Sequence, residues 1–342
     1  MFKMYLSANE KKLSNNSGRL LWLDMARGVA MLFIIIGHCD GIPQILRHAI
    51  FSFHVPLFFI LSGYVYRKKE KSIWKDFKQL IIPYIISVCF VIIFNVWGSR
   101  TVDPSAIKNI VKTALYGYGS VYGDIGMIGA LWFLPAMFIA RRLMNFVFSL
   151  ELRETHRFLA MLFLLILGVR IGAIVWVPMN VDIAMVAAGF MYIGYLLRER
   201  NISLKKDIVV GCLFIWFAAV KAGEMEWSSR MYEPWMSNFV GAVAGSIIIL
   251  YLCQKMEAVT IIRKGLSFVG THTILLLCIH DLDWRLPFDV YWGFLQQFQG
   301  ERIYFLLSVL FRMGFDLLVM MIGLLILNIV KKGISHKKNN LS

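Results

Sequence analysis

Apolar runs of about 20 residues recur along this whole chain, and no other feature restricts its fold as tightly. Wound as a helix, such a run crosses the ~30 Å hydrocarbon layer of a bilayer. The runs are continuous and lack the polar stripe of a helix that packs on a soluble core. Composition agrees: 58% of the 342 residues are hydrophobic and 17% are charged. A soluble domain would be near half apolar and about a quarter charged.

Ten spans can be read, over residues 20–39, 49–66, 80–97, 125–148, 158–176, 181–197, 208–220, 238–252, 266–279 and 303–330. The fourth is interrupted by Arg141 and Arg142, and the seventh and ninth are short. Lys and Arg stay on the cytoplasmic side of a membrane. One alternate set of connections, with both tails, carries 25 of them, and the opposite set carries seven. That asymmetry puts both termini inside and favours an even number of crossings. Trp22, Trp97, Trp176 and Trp235 fall at span ends, where interface aromatics belong. The expected fold is therefore all-α: a polytopic membrane helix bundle of about ten transmembrane helices, with N and C termini cytoplasmic. It divides into a tail at 1–19, a membrane domain at 20–330 and a basic tail at 331–342.

The net charge of +15 does not point to nucleic acid, because basic residues sit between apolar runs and form no aromatic-laced stripe. Cys39, Cys89, Cys212, Cys253 and Cys278 are scattered and lack metal or disulfide spacing. No metal centre and no permanently bound cofactor are expected. The first apolar run has full length and no cleavage pattern, so it is expected to remain as a helix.

Ionisable groups inside spans are costly and mark function. In the first span Arg27 and His38 are eleven residues apart, which puts them on one helix face, separated by about 16 Å. One stripe thus carries a fixed cation near the cytoplasmic end and an imidazole near the outer end. A long anionic molecule entering from the cytoplasm can set its phosphates at Arg27 and its far tip at His38. Acyl-CoA has that shape.

The residues Asp24-x-x-Arg27-Gly28, with His38 closing the span, are followed by Phe53-His54-Val55-Pro56 and Leu61-Ser62-Gly63-Tyr64. Together they resemble the acyltransferase-3 family of membrane O-acyltransferases, within it the fucose O-acetylase and surface-polysaccharide O-acetyltransferase branch. Leu131-Trp132-Phe133-Leu134 and Gly270-Thr271-His272-Thr273-Ile274 with His280 support the likeness. It is dense over 19–84 and ordered to about 280. The resemblance implies transfer of an acyl group, usually acetyl from cytoplasmic acetyl-CoA, to a carbohydrate hydroxyl, with the Arg27/His38 pair essential. The family often has an Arg-x-x-Arg pair before the third span. The matching stretch here offers Lys75 and Lys78, which keep the charge but lose bidentate phosphate recognition. Some relatives carry a C-terminal hydrolase-like domain. This chain is expected to lack one, so a partner protein in polysaccharide assembly is implied.

His38 reads as a general base, with a transient acyl-histidine as the alternative. Arg27 reads as a cofactor contact, or as a snorkelling cation paired with Asp24 one turn away. His54 and His280 fall near the outer level of His38, as candidate substrate groups or as structural histidines. Arg170 either contacts substrate or pairs with Asp182, while Arg312 and Asp316, four apart, are expected to satisfy each other. The cluster Arg67, Lys68, Lys69 and Lys71 reads as a positive-inside signal with anionic-lipid contact. Tyr116, Tyr118, Tyr122, Asp124, Trp284, Asp289, Tyr291 and Trp292 in the outer loops suit sugar rings or interface anchoring. The rival function is a transporter or flippase for a lipid-linked sugar or small metabolite. Against it stands the lack of repeated, broken helix pairs in corresponding halves.

Overall fold

A computed structural model describes residues 20–67, 73–283, 285–286, 289–300 and 302–339. The expected N-terminal tail, Lys68, Lys69, Lys71, Trp284 and the side chains of Asp289, Trp292 and the basic C-terminal stretch lie outside the described residues. Among the described residues the fold is all-α, without strands.

Helices α1 (Leu21–Gly37) and α2 (Gln44–Tyr64) are followed by α3 (Ile73–Ser99) and α4 (Pro104–Tyr116). Next come α5 (Gly129–Ser149), α6 (Glu154–Ile174), α7 (Val181–Glu199) and α8 (Lys206–Ala222). The chain continues through α9 (Trp235–Met256), α10 (Thr260–Thr271), α11 (Thr273–Asp283), α12 (Asp289–Gln296) and α13 (Arg302–Asn339). Among the described residues seven helices are long and apolar enough to cross a membrane, or eight if α10 and α11 form one span. Helices α1 and α8, of 17 residues each, stand at the lower limit of about 17 for a crossing.

Burial sorts these helices into a centre and a rim. In α2 and α7, 72% of the apolar window is buried, against 22% in α3, 28% in α6 and 17% in α13. The rim turns Ile86, Phe90, Ile93, Phe163, Leu310 and Leu325 outward. Exposed apolar surface on that scale belongs against lipid, because the backbone is already satisfied within each helix.

Glycine sets the tightest crossings at the centre. A Cβ on Gly63 would collide with the Met191 carbonyl, and one on Gly194 with the Ile60 carbonyl. The same reciprocity joins α1 to α10, where Gly28 faces Leu266 and Gly270 faces Asp24. Small residues of this kind let membrane helices pack backbone to backbone.

Several expectations need correction. The ninth span is not one straight helix: α10 and α11 are bent by 71° at His272, inside the Gly270–Ile274 motif. The fourth, expected from 125, starts at Gly129 as a 3-10 turn, and α13 runs on through the basic stretch to Asn339. The connections at 98–127 and 281–302, read as loops, contain helices α4 and α12. Trp22 is buried against Tyr64 rather than anchored at an interface. Helix α3 opens with one α-turn, Ile73–Asp76, and passes into a π turn at Phe77–Ile81 just before Pro83. Proline has no N–H and its ring crowds the carbonyl four residues back, so the wider turn is its local accommodation.

Candidate active site

Helix α1 contributes Arg27, Met31 and Ile34 to the wall of one internal cavity of about 160 Å³. These positions are spaced by four and three, so the face of α1 that carries Arg27 turns to the inside of the bundle. Helix α2 adds Phe58 and Ser62, α3 adds Leu80, α5 adds Phe133, Met137 and Arg141, and α11 closes the wall with Thr273, Ile274 and Leu277. Charge is confined to the Arg27 and Arg141 end, and the remaining lining is mostly apolar.

Arg27 donates from Nη1 to Asp24 Oδ1 at 2.8 Å, one turn away on the same helix. Asp24 is buried, while about a quarter of the Arg27 side chain (26%) stays accessible. The second charged wall is built from three helices. Asp76, at 1% exposure beside the π turn, accepts from Arg141 Nη1 at 2.9 Å and from Arg142 Nη2. Arg141 also donates from Nε to Ser62 Oγ at 3.2 Å. Read in sequence as an interruption of the fourth span, Arg141 and Arg142 are thus tied to a carboxylate on α3.

His38 caps the far end of α1. Its Nδ1 lies 2.8 Å from the Ile34 carbonyl. A carbonyl only accepts, so Nδ1 donates, and in the neutral ring the lone pair lies on Nε2. The cavity reaches Ile34, one turn below, and His38 itself stands above that lining. Phe51 ties His38 to His54, with ring centroids 5.5 Å and 4.9 Å away. His54 is buried and bound through Nδ1 to the Ile50 carbonyl at 2.8 Å, which leaves its lone pair on Nε2 as well.

His280 completes the histidine cluster, its ring 5.5 Å from that of His38. Its Nδ1 donates to Asp316 Oδ2 at 2.9 Å, with Asp283 Oδ2 at 3.7 Å. Its buried Nε2 has no hydrogen-bond partner among the described residues. Arg312 reaches Asp283 at 3.7 Å and Asp40 at 3.8 Å. The expected Arg312–Asp316 pair is therefore replaced: each group turns to a partner on another segment. His280, Asp283 and Asp316 bring donor atoms within 4.8 Å of one another, a spacing that can hold a metal ion. The guanidinium of Arg312 already supplies a cation beside them. Sequence spacing links only His280 and Asp283, three apart on α11, and gives no sign that Asp316 on α13 joins them.

The other anticipated residues lie elsewhere. Lys75 and Lys78 are exposed, with Lys78 over the Trp74 ring at 5.2 Å, and neither lines the cavity. Arg170 is exposed on α6 and does not take Asp182. Asp182 is bound instead by the buried Arg230 at 2.7 Å, which also rests on Trp176 at 4.1 Å. Of the outer aromatics, Tyr118 and Tyr122 pack against Trp176, and Tyr291 stacks on Phe311. The five cysteines are free thiols.

A family model described as acyltransferase domain matches residues 20–329. No curated protein and no solved structure matches the chain.

Proposed function

This chain belongs to the acyltransferase-3 family, and from that membership we propose that it transfers acetyl from acetyl-CoA to a sugar hydroxyl of an envelope polysaccharide or its lipid-linked precursor. It is a multi-pass membrane acyltransferase. In the proposed reading it crosses the inner membrane ten times with both termini cytoplasmic, as the charge asymmetry of its loops favours.

The donor enters from the cytoplasm, where Arg27 meets its phosphates, and its thioester reaches the outer end of α1. His38 Nε2 takes the proton of the acceptor hydroxyl as the oxygen bonds to the thioester carbonyl carbon. When the tetrahedral adduct collapses, the C–S bond breaks and the thiolate leaves with the proton from the imidazolium. The products are an acetyl ester and the free CoA thiol. An acyl-histidine on the way uses the same atoms in two steps. His54 and His280 remain as acceptor-side groups around His38, and Arg170, on the exposed face of α6, drops out of the proposed site.

The observation that supports this most is the inward stripe: Arg27, Met31 and Ile34 line the cavity, and the Ile34 carbonyl fixes the His38 tautomer that a base needs. The test is to supply labelled acetyl-CoA to membranes that contain the protein. Label should appear in glycan, and His38→Ala should reduce it about 10²- to 10⁴-fold at equal protein level. Full activity in the variant would remove His38 from the mechanism. Solute flux without any acyl label would replace the enzyme by a transporter.

A further inference from the structure

The cytoplasmic end of the cavity holds more positive charge than the Arg27–Asp24 pair supplies. Asp76 is one carboxylate held by two guanidinium groups, so the Asp76–Arg141–Arg142 cluster keeps a net charge of about +1. Exposure is divided unequally within it. Asp76 is buried at 1%, while the Arg141 and Arg142 side chains keep 22% and 24% of their surface. An approaching ligand therefore meets cations and not the carboxylate.

Of the two arginines, only Arg141 lines the cavity, on a wall separate from that of Arg27. Its Nε is used by Ser62 and its Nη1 by Asp76. These two bonds fix the plane of the guanidinium and leave Nη2 for a ligand. A cationic donor held in one orientation suits a phosphate oxygen, and a pre-ordered side chain loses less entropy on binding. Past the charged end the lining becomes apolar, with Met31, Phe58, Phe133 and Leu277. A ligand with a phosphorylated head and a slender, weakly polar arm fits that gradient.

We propose that Arg141, locked by Asp76 and Ser62, binds the phosphates at the nucleotide end of the acyl donor and makes the enzyme prefer a CoA thioester to the bare pantetheine thioester. The proposal rests on the donor being acyl-CoA. It assigns the second donor cation to α5, and not to Lys75 and Lys78 on the exposed side of α3. Arg142 is a built-in comparison, because it shares the same carboxylate but does not reach the cavity.

The experiment compares acetyl-CoA with S-acetylpantetheine, which carries the same thioester without the nucleotide, using the full-length protein in lipid nanodiscs. Arg141→Gln should raise KM for acetyl-CoA about 10- to 100-fold, the loss expected of a hydrogen bond to a charged group. Its kcat at saturation and its kcat/KM for S-acetylpantetheine should match the unaltered protein. Arg141→Lys should recover part of the preference, and Arg142→Gln should keep the preference whole. Equal losses with both donors in Arg141→Gln, or a collapsed preference in Arg142→Gln, would make the cluster a structural clamp and overturn the proposal. Transfer from neither donor by the unaltered protein would overturn the acyl-CoA reading beneath it.

Discussion

Asp316 meets His280 across 36 residues of sequence, and that hydrogen bond fixes the imidazole ring beside His38. An aspartate on Nδ1 holds the tautomer whose Nε2 accepts a proton, and it stabilises the ring when charged. Asp316→Asn keeps the shape but removes the charge. If His280 serves the acceptor, this variant should lower kcat about tenfold or more and shift the pH–rate profile, while KM for the donor stays fixed. An unchanged profile would reduce the dyad to a structural pair. Residues on one helix are easier to relate in advance: the spacing of Arg27 and His38 gives them one face of α1 because helical periodicity is local, and of the two Arg27 lines the cavity. Partner choice is harder. Arg312 and Asp316 have the spacing of an intrahelical pair, yet in the bundle other carboxylates and His280 lie closer. Arg141 read as a defect in a span, since nothing near it in sequence shows Asp76 waiting on α3.

Helices were easier to foresee than their crossings. Gly63 and Gly194 look like ordinary small residues, but each faces the carbonyl of the opposite helix, so α2 and α7 touch through backbone. A methyl at either position must push the helices apart. Gly63→Ala and Gly194→Ala should each cost about 1–3 kcal/mol or more, read as a lower melting temperature of the detergent-solubilised protein. Gly211→Ala, in open space on α8, should leave melting unchanged or raise it slightly. Equal melting of all three variants would mean that the α2–α7 crossing is looser than described. The 71° break at His272 falls where Gly270-Thr271-His272-Thr273 interrupts the apolar run, and apolar residues on both sides still read as one short span. Hydropathy reports burial and not direction. The π turn, by contrast, had a visible cause in Pro83.

For the molecule as a whole, charge and hydropathy gave a bundle of the right class, because the bilayer acts on long windows of sequence and tolerates local error. The proposed sidedness rests on the same asymmetry and can be measured on two loops. Cysteines introduced at Val102 and Ser203, with the native ones replaced, should respond oppositely to a membrane-impermeant thiol reagent. In intact cells Val102→Cys should be modified and Ser203→Cys spared, and both should react after permeabilisation. Equal labelling of the two would break the proposed alternation.

The central claim is that cation and imidazole stand toward opposite faces of the membrane, so donor chemistry has a side. Sealed vesicles of opposite orientation, each given external labelled acetyl-CoA, test this most directly. Inverted vesicles should transfer the acetyl group and release free CoA thiol, and right-side-out vesicles should not until they are made leaky. Equal transfer in both orientations, or transfer only in right-side-out vesicles, would contradict the account.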